Sequence, residues 1–216
     1  MRLFTVLALL CTLAGCAADP GRQGAAMSFA VIGDLPYSAR EERTLLDIMR
    51  EIDAEDIGFV VHLGDIKSGG SRCDDAVYRW NREVFDRSRH PFVYLPGDNE
   101  WTDCHRDNNG RFDPLERLRH LRRVFYTGDE SLGMRRIRLA RQSADARFAE
   151  YVENVRWTAA GVMFVGLNLP GSNNNFGRTP AADAEYRARN AANLAWMGEA
   201  FAQARRDGLS GLVVSI

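Results

Sequence analysis

Three short stretches of this chain place a carboxylate at the end of an apolar run: "FAVIGDLPY", "VVHLGDI" and "FVYLPGDNEWTDC". In each, a glycine precedes the aspartate, giving Gly33-Asp34, Gly64-Asp65 and Gly97-Asp98, and the last is followed by Asn99 and Glu100. Glycine before the aspartate admits a sharp exit from a strand and a close approach by a neighbouring backbone or ligand. Three carboxylates sharing one crevice would repel one another and raise each other's pKa unless a cation lay between them. Hard oxygen donors joined by an amide suit Mg, Mn, Fe or Zn, and a shared aspartate can hold two ions about 3.5–4 Å apart, an arrangement that serves phosphoryl transfer. Each Gly-Asp by itself is also an ordinary turn or helix cap. Their serial repetition after apolar strands is what points to chemistry.

The elements needed to bring the three together are legible in the pattern. After Asp34, Leu45, Ile48, Met49 and Ile52 recur at helical spacing, with Glu41 and Glu42 suited to a helix start. After Asp65 comes a Gly- and Ser-rich loop and then a helical face of Ala76, Val77, Trp80, Val84 and Phe85. After Asp98 a long polar loop leads to a helix beginning at Pro114 and capped by Asp113. Strands alternating with helices in this way predict βαβ units and a parallel sheet, whose functional groups gather beyond the carboxyl ends of the strands. Further on, "FAEYVENVRWTAAGVMFVGLNLP" reads as an antiparallel hairpin turning at residues 159–161. An Ala-rich helix over residues 183–206, with Leu194, Met197 and Phe201 on one side, ends at Gly208. The chain then closes on "LVVSI", an apolar run read as a core strand, so continuation beyond Ile216 is expected.

The series "IGD", "LGD" and "PGDNE" resembles the motifs of the calcineurin-like metallophosphoesterase superfamily, which run D-x-H, G-D, G-N-H-D/E and G-H-x-H. The resemblance covers the chain from Ser28 onward. It implies an α/β fold, a two-sheet sandwich flanked by helices, with mostly parallel units in the first half and the hairpin in the second. It further implies two divalent or trivalent metal ions and a phosphate-ester small molecule as substrate. By position, Asp34 would hold the first metal, Asp65 would bridge both, and Asp98 would hold the second. Asn99 falls where the family has its catalytic His, with Glu100 as an alternative acid. Pro36 stands in place of the His of D-x-H, with Tyr37 beside it as a substitute ligand, and G-H-x-H has no counterpart.

The four histidines do not restore that pattern. His62 shares a strand face with Gly64 and reads as structural; His90 precedes Pro91 in a turn; His120 sits among arginines on a helix and reads as solvated. His105, in the loop after Asp98, remains a candidate for substrate or metal. Candidate phosphate contacts are Lys67 and Arg72 in the loop after Asp65, and Asn174 and Arg178 in the Asn-rich loop 172–178, whose plainer reading is a polar surface turn.

Length and composition agree with one globular domain: 216 residues, 45% hydrophobic and 26% charged. A net charge of -1 gives none of the positive field with which nucleic-acid binders recruit backbones. Arg2 and the apolar stretch 3–14 form a secretory signal, too short to span a bilayer. "LAGC" at residues 13–16 resembles the bacterial lipobox, so residues 1–15 would be a signal peptide, Cys16 the lipidated residue, 16–27 a tether and 28–216 the folded domain on a membrane-anchored envelope lipoprotein. With Cys11 in the signal and Cys16 lipidated, Cys73 and Cys104 remain, and a disulfide in an oxidising compartment is their simplest assignment beside two buried free thiols or a soft-metal site. Two function classes follow: a metal-dependent phosphoesterase, or a non-catalytic lipoprotein that keeps the scaffold and binds a ligand or partner. A Ser hydrolase is disfavoured, since no G-x-S-x-G occurs.

Overall fold

The computed structural model describes residues 26–216; the expected signal peptide, Cys16 and nearly all of the expected tether lie outside the described residues. Strands β1 (Ala30–Ile32), β2 (Val60–His62) and β3 (Phe92–Tyr94) form a parallel sheet in that order, with α1 (Ala39–Ala54) and α2 (Asp75–Asp86) as crossovers and α3 (Pro114–Phe125) following β3. A second sheet runs β4 (Ala140–Arg141), β5 (Val155–Ala159), β6 (Val162–Gly166), β7 (Gly211–Ser215). Its first two pairings are antiparallel and the last is parallel, joined by the long helix α4 (Pro180–Arg206).

Alternation along the strands builds four layers. Val60, Phe92 and Tyr94 face α1, α2 and α3, packing on Leu45, Met49, Phe85 and Phe125. Their neighbours Val61 and Val93 face the other sheet and meet Val155, Trp157 and Phe164. On that sheet's outer face, Met163 and Val165 cover Trp196 and Ala200 of α4. The result is a two-sheet sandwich flanked by helices, as the family resemblance implies, with the parallel units that the strand-helix alternation predicts in its first half. The β5–β6 hairpin turns at Ala160 and Gly161, both with positive φ (48° and 76°). Asp113 caps α3 by accepting from the Leu115 amide, and Ser38 caps α1 through the Glu41 amide.

Several helix faces differ from the sequence expectation. Helix α4 starts three residues earlier than residue 183, at a Thr179 cap that precedes Pro180. Its buried stripe is Ala182, Arg189, Ala192, Asn193, Trp196 and Ala200, while Leu194 and Phe201 are exposed. Polarity misleads here because Arg189 and Asn193 are buried to bond the carbonyl of Asn168, and small alanines let the helix lie close to the sheet. On α2 the inward residues are Tyr78, Asn81, Val84 and Phe85, with Ala76 exposed and Trp80 half-buried. Asn81 is turned in by the carbonyl of Ile66, 3.1 Å from its Nδ2. His120 is half-buried against the Tyr78 ring, with Nε2 3.5 Å from Asp75, and so is not a solvated residue.

Candidate active site

The parallel sheet delivers its three aspartates to one edge. Gly64 and Gly97 make this possible: a Cβ on Gly64 would stand 2.0 Å from the Gly97 nitrogen, and one on Gly97 would stand 2.2 Å from an Asp65 oxygen. The two strand exits therefore pack backbone against backbone, which only glycine allows. Glu100 straps them together, since its Oε1 accepts from the amides of Asp65 (3.2 Å) and Gly97 (2.7 Å) and from the Tyr94 hydroxyl (2.7 Å).

Above this strap the polar groups meet. Tyr37 donates its hydroxyl to Asp34 Oδ1 at 3.0 Å and lies 3.3 Å from Asp65 Oδ2. Asn99 gives its backbone amide to Asp65 Oδ1 at 3.0 Å and its Nδ2 to the Tyr37 oxygen at 3.3 Å. Asp98, near enough for its charge to act on Asp65, receives the Ser172 hydroxyl at 2.9 Å. Burial, followed by the Asp98 and Asp34 carboxylates, pushes Asp65 up to about 6 against the pull of the Asn99 amide. Burial and the Asp65 carboxylate push Glu100 up to about 7. Tyr37 is raised well above the usual phenol range by burial and by the Asp65 and Asp34 carboxylates, so its hydroxyl keeps its proton at neutral pH.

The loop that brings Ser172 in has an unusual backbone. Residues 172–175 all have positive φ, between 49° and 64°, forming a single left-handed turn without a glycine among them. Such residues cost about 1–2 kcal/mol each and persist only where the surroundings over-determine them. Arg189, fully buried over the Trp101 ring, bonds both the side-chain and backbone oxygens of Asn174 (2.6 and 3.1 Å), and Arg178 bonds Asn175 Oδ1 at 2.6 Å and Thr102 O at 3.2 Å. Gly171 just before the turn sits where a Cβ would come within 2.5 Å of Asp98 Oδ2.

The structure thus gathers Asp34, Asp65, Asp98, Tyr37 and Asn99, and places the remaining candidates elsewhere. Glu100 is wholly buried beneath the aspartates as a strap, so it does not face the crevice as an acid. Lys67 points inward, its ammonium bonded to the carbonyls of Ser68 and Asn99 and to Asn109 Oδ1, all within 2.8 Å; it supports Asn99 rather than offering a free cation to phosphate. Arg72 is exposed and paired with Asp74 at 3.0 Å. Asn174 and Arg178 are committed to the left-handed turn, for the reasons just given, rather than free to bind substrate. His105 is exposed with Nδ1 2.8 Å from Thr102 O. Cys73 and Cys104 are joined in a disulfide that ties the loops after β2 and β3.

Sequence reasoning did not reach Ser172, Asp103 or Arg106. Ser172 also donates to Asp103 Oδ1 at 2.7 Å, and Asp103 pairs with Arg106 at 2.7 Å. One Arg106 nitrogen lies 3.4 Å from the Ser172 hydroxyl, which makes this half-exposed guanidinium a cation beside the cluster. No local spacing signals contacts that span 66 to 74 residues of chain.

The chemistry of the donor set fits an oxygen-ligated cation. Among the described residues, no group of three or more His, Cys, Asp or Glu side chains forms a metal-holding cluster by itself. The carboxylates need Tyr37 and Asn99 to complete a set of donors; burial leads the rise of Asp65, and the Asp98 and Asp34 carboxylates add a share that a cation would relieve.

A family model described as calcineurin-like phosphoesterase matches residues 27–145, more than half of the chain. No curated protein and no solved structure matches the chain.

Proposed function

Because this chain belongs to the calcineurin-like phosphoesterase family, we propose that it hydrolyses a phosphate ester at the Asp34, Asp65 and Asp98 cluster with the help of divalent cations. The observation that carries the reading is the convergence of three strand-end aspartates, Asp34 and Asp65 joined through the Tyr37 hydroxyl and Asp98 brought beside Asp65 by the Asn99 amide that follows it. Asp34, Asp65 and Asp98 would hold the metal, with Tyr37 and Asn99 as neutral donors, and we assign two ions to the set. When bound, the cations supply Lewis-acid polarisation of the phosphoryl group and lower the pKa of a water. The chain's own residues then orient and shield. Asp65, fixed by the Asn99 amide and by Glu100 behind its backbone, keeps one orientation for its carboxylate. The Tyr37 hydroxyl sits between Asp34 and Asp65, and Arg106 beside Ser172 offers a planar cation to a phosphate oxygen.

The same reading carries the cellular setting. A signal over residues 1–15 with lipidation at Cys16 would export the chain and anchor it to the bacterial envelope through a lipid. Supporting this is the Cys73–Cys104 bridge, which suits an oxidising compartment.

The test is turnover of an aryl phosphate and an aryl phosphodiester by the metal-stripped chain before and after addition of Mn2+. Metal-restored hydrolysis that falls at least a hundredfold in Asp65→Asn is expected. A correctly folded chain that hydrolyses neither ester with any of Mn2+, Zn2+, Fe2+ or Mg2+ favours the ligand-binding alternative, for which the Pro36 and Asn99 departures speak.

A further inference from the structure

A cleft of about 380 Å3 opens between the start of α1 and the outward side of α2. Its wall includes Pro36, Tyr37, Ala39, Ala76, Val77 and Trp80. It borders the aspartate cluster at Tyr37, the residue common to both. The Tyr37 ring lines it while the Tyr37 hydroxyl is bonded to Asp34 and lies beside Asp65, and Ile66 and Lys67, which follow Asp65 in the chain, also line it. Trp80 distinguishes the cleft from ordinary surface: the chain has four tryptophans, Trp101, Trp157 and Trp196 are buried, and Trp80 alone is half-exposed. An indole left partly in water within a concave wall gains by being covered. The volume lies within the ~300–1,000 Å3 of small-molecule pockets.

Charge narrows the occupant. The Lys67 ammonium is already bonded to three oxygens, which leaves Glu42 as the exposed charge in the lining. A second anionic group on the substrate would face that carboxylate without a free cation to balance it. Of the polar residues that also line the cleft, Ser38 caps α1 and Ser71 bonds the Ser68 carbonyl, which leaves a sugar only Glu42 and the Asn81 Oδ1 as unspent partners.

We propose that this cleft receives the organic half of the substrate, an uncharged apolar alcohol of about the size of an aromatic ring, while its phosphate sits at the aspartates. The inference rests on the phosphoesterase reading and adds the substrate class to it.

Calorimetric titration of the full chain in Mn2+ with two non-hydrolysable probes, benzylphosphonate and methylphosphonate, tests it. Benzylphosphonate binds roughly tenfold or more tightly than methylphosphonate, the gain of burying one ring. Trp80→Ala removes most of that difference and leaves methylphosphonate unchanged, and Trp80→Phe keeps most of it. Ala76→Asp, at an exposed position that folding tolerates, removes the difference by placing a charge in the wall. Equal affinity of the wild-type chain for the two probes, or a difference that survives both Trp80→Ala and Ala76→Asp, overturns the cleft assignment with the phosphoesterase reading intact. Binding of neither phosphonate overturns that reading, and this inference with it.

Discussion

Two of the three aspartates hold a backbone conformation that side-chain-bearing residues avoid, with φ of 58° at Asp34 and 57° at Asp65. Strain of this kind, about 1–3 kcal/mol per residue, is retained where surrounding contacts fix it and tends to mark sites. Here the fixing contacts are visible: the Tyr37 hydroxyl on Asp34, and the Asn99 amide and Glu100 carboxylate on Asp65. Lys67 is the most consequential support, because a buried ammonium under the Asn99 carbonyl sets the height of the whole Asp98-Asn99 corner. Burial lowers its pKa to about 8 from the ordinary 10.5. Between those values the unfolded chain binds more protons than the folded one, so stability rises with pH across that window. Urea midpoints measured from pH 7.5 to 9.5 are expected to climb in the wild type and to stay flat in Lys67→Met. Parallel profiles for the two would show that the lysine is solvated instead.

Among the elements, the loops carry more of the site than the strands do. The disulfide joins the loop after β2 to the loop after β3 across 31 residues, and closing a loop of that length stabilises by about 3–4 kcal/mol. The Cys73→Ser, Cys104→Ser double variant is expected to lose that amount in urea unfolding; an unchanged midpoint would contradict it. Much of this level was legible in the chain itself. Each Gly-Asp step ends an apolar run and precedes a helical period, which is why Asp34, Asp65 and Asp98 and their βαβ setting could be read before any coordinates. The α4 face could not, because Arg189 and Asn193 are buried for the sake of loop carbonyls, and hydrophobic periodicity gives Leu194 and Phe201 instead. Ser172, Asp103 and Arg106 escaped for a related reason: Ser172 sits in a left-handed turn set by tertiary contacts and not by its own residues, and Asp103 and Arg106 meet it from the loop after β3. Lys67 and Glu100 were found as chemically apt residues, but their burial, which converts them from reactants into supports, depends on the packing of β2 against β3.

At the scale of the molecule, the four layers have one consequence for chemistry. The two sheets share a single apolar interior, so the parallel sheet's carboxyl edge is held rigidly against the loop that follows β6, and Ser172 can meet Asp98 from the opposite sheet. The parallel sheet supplies the cluster's aspartates, Tyr37 and Asn99, and the second sheet closes it through Ser172. A set of carboxylates that crowd one another in this way should bind a cation tightly, and the most direct measurement is a calorimetric titration of the metal-stripped chain with Mn2+ at neutral pH. Saturable binding with micromolar or better affinity, weakened at least thirtyfold in Asp65→Asn, is the predicted result. Binding that is undetectable in the folded wild-type chain, or unchanged in Asp65→Asn, would contradict the account.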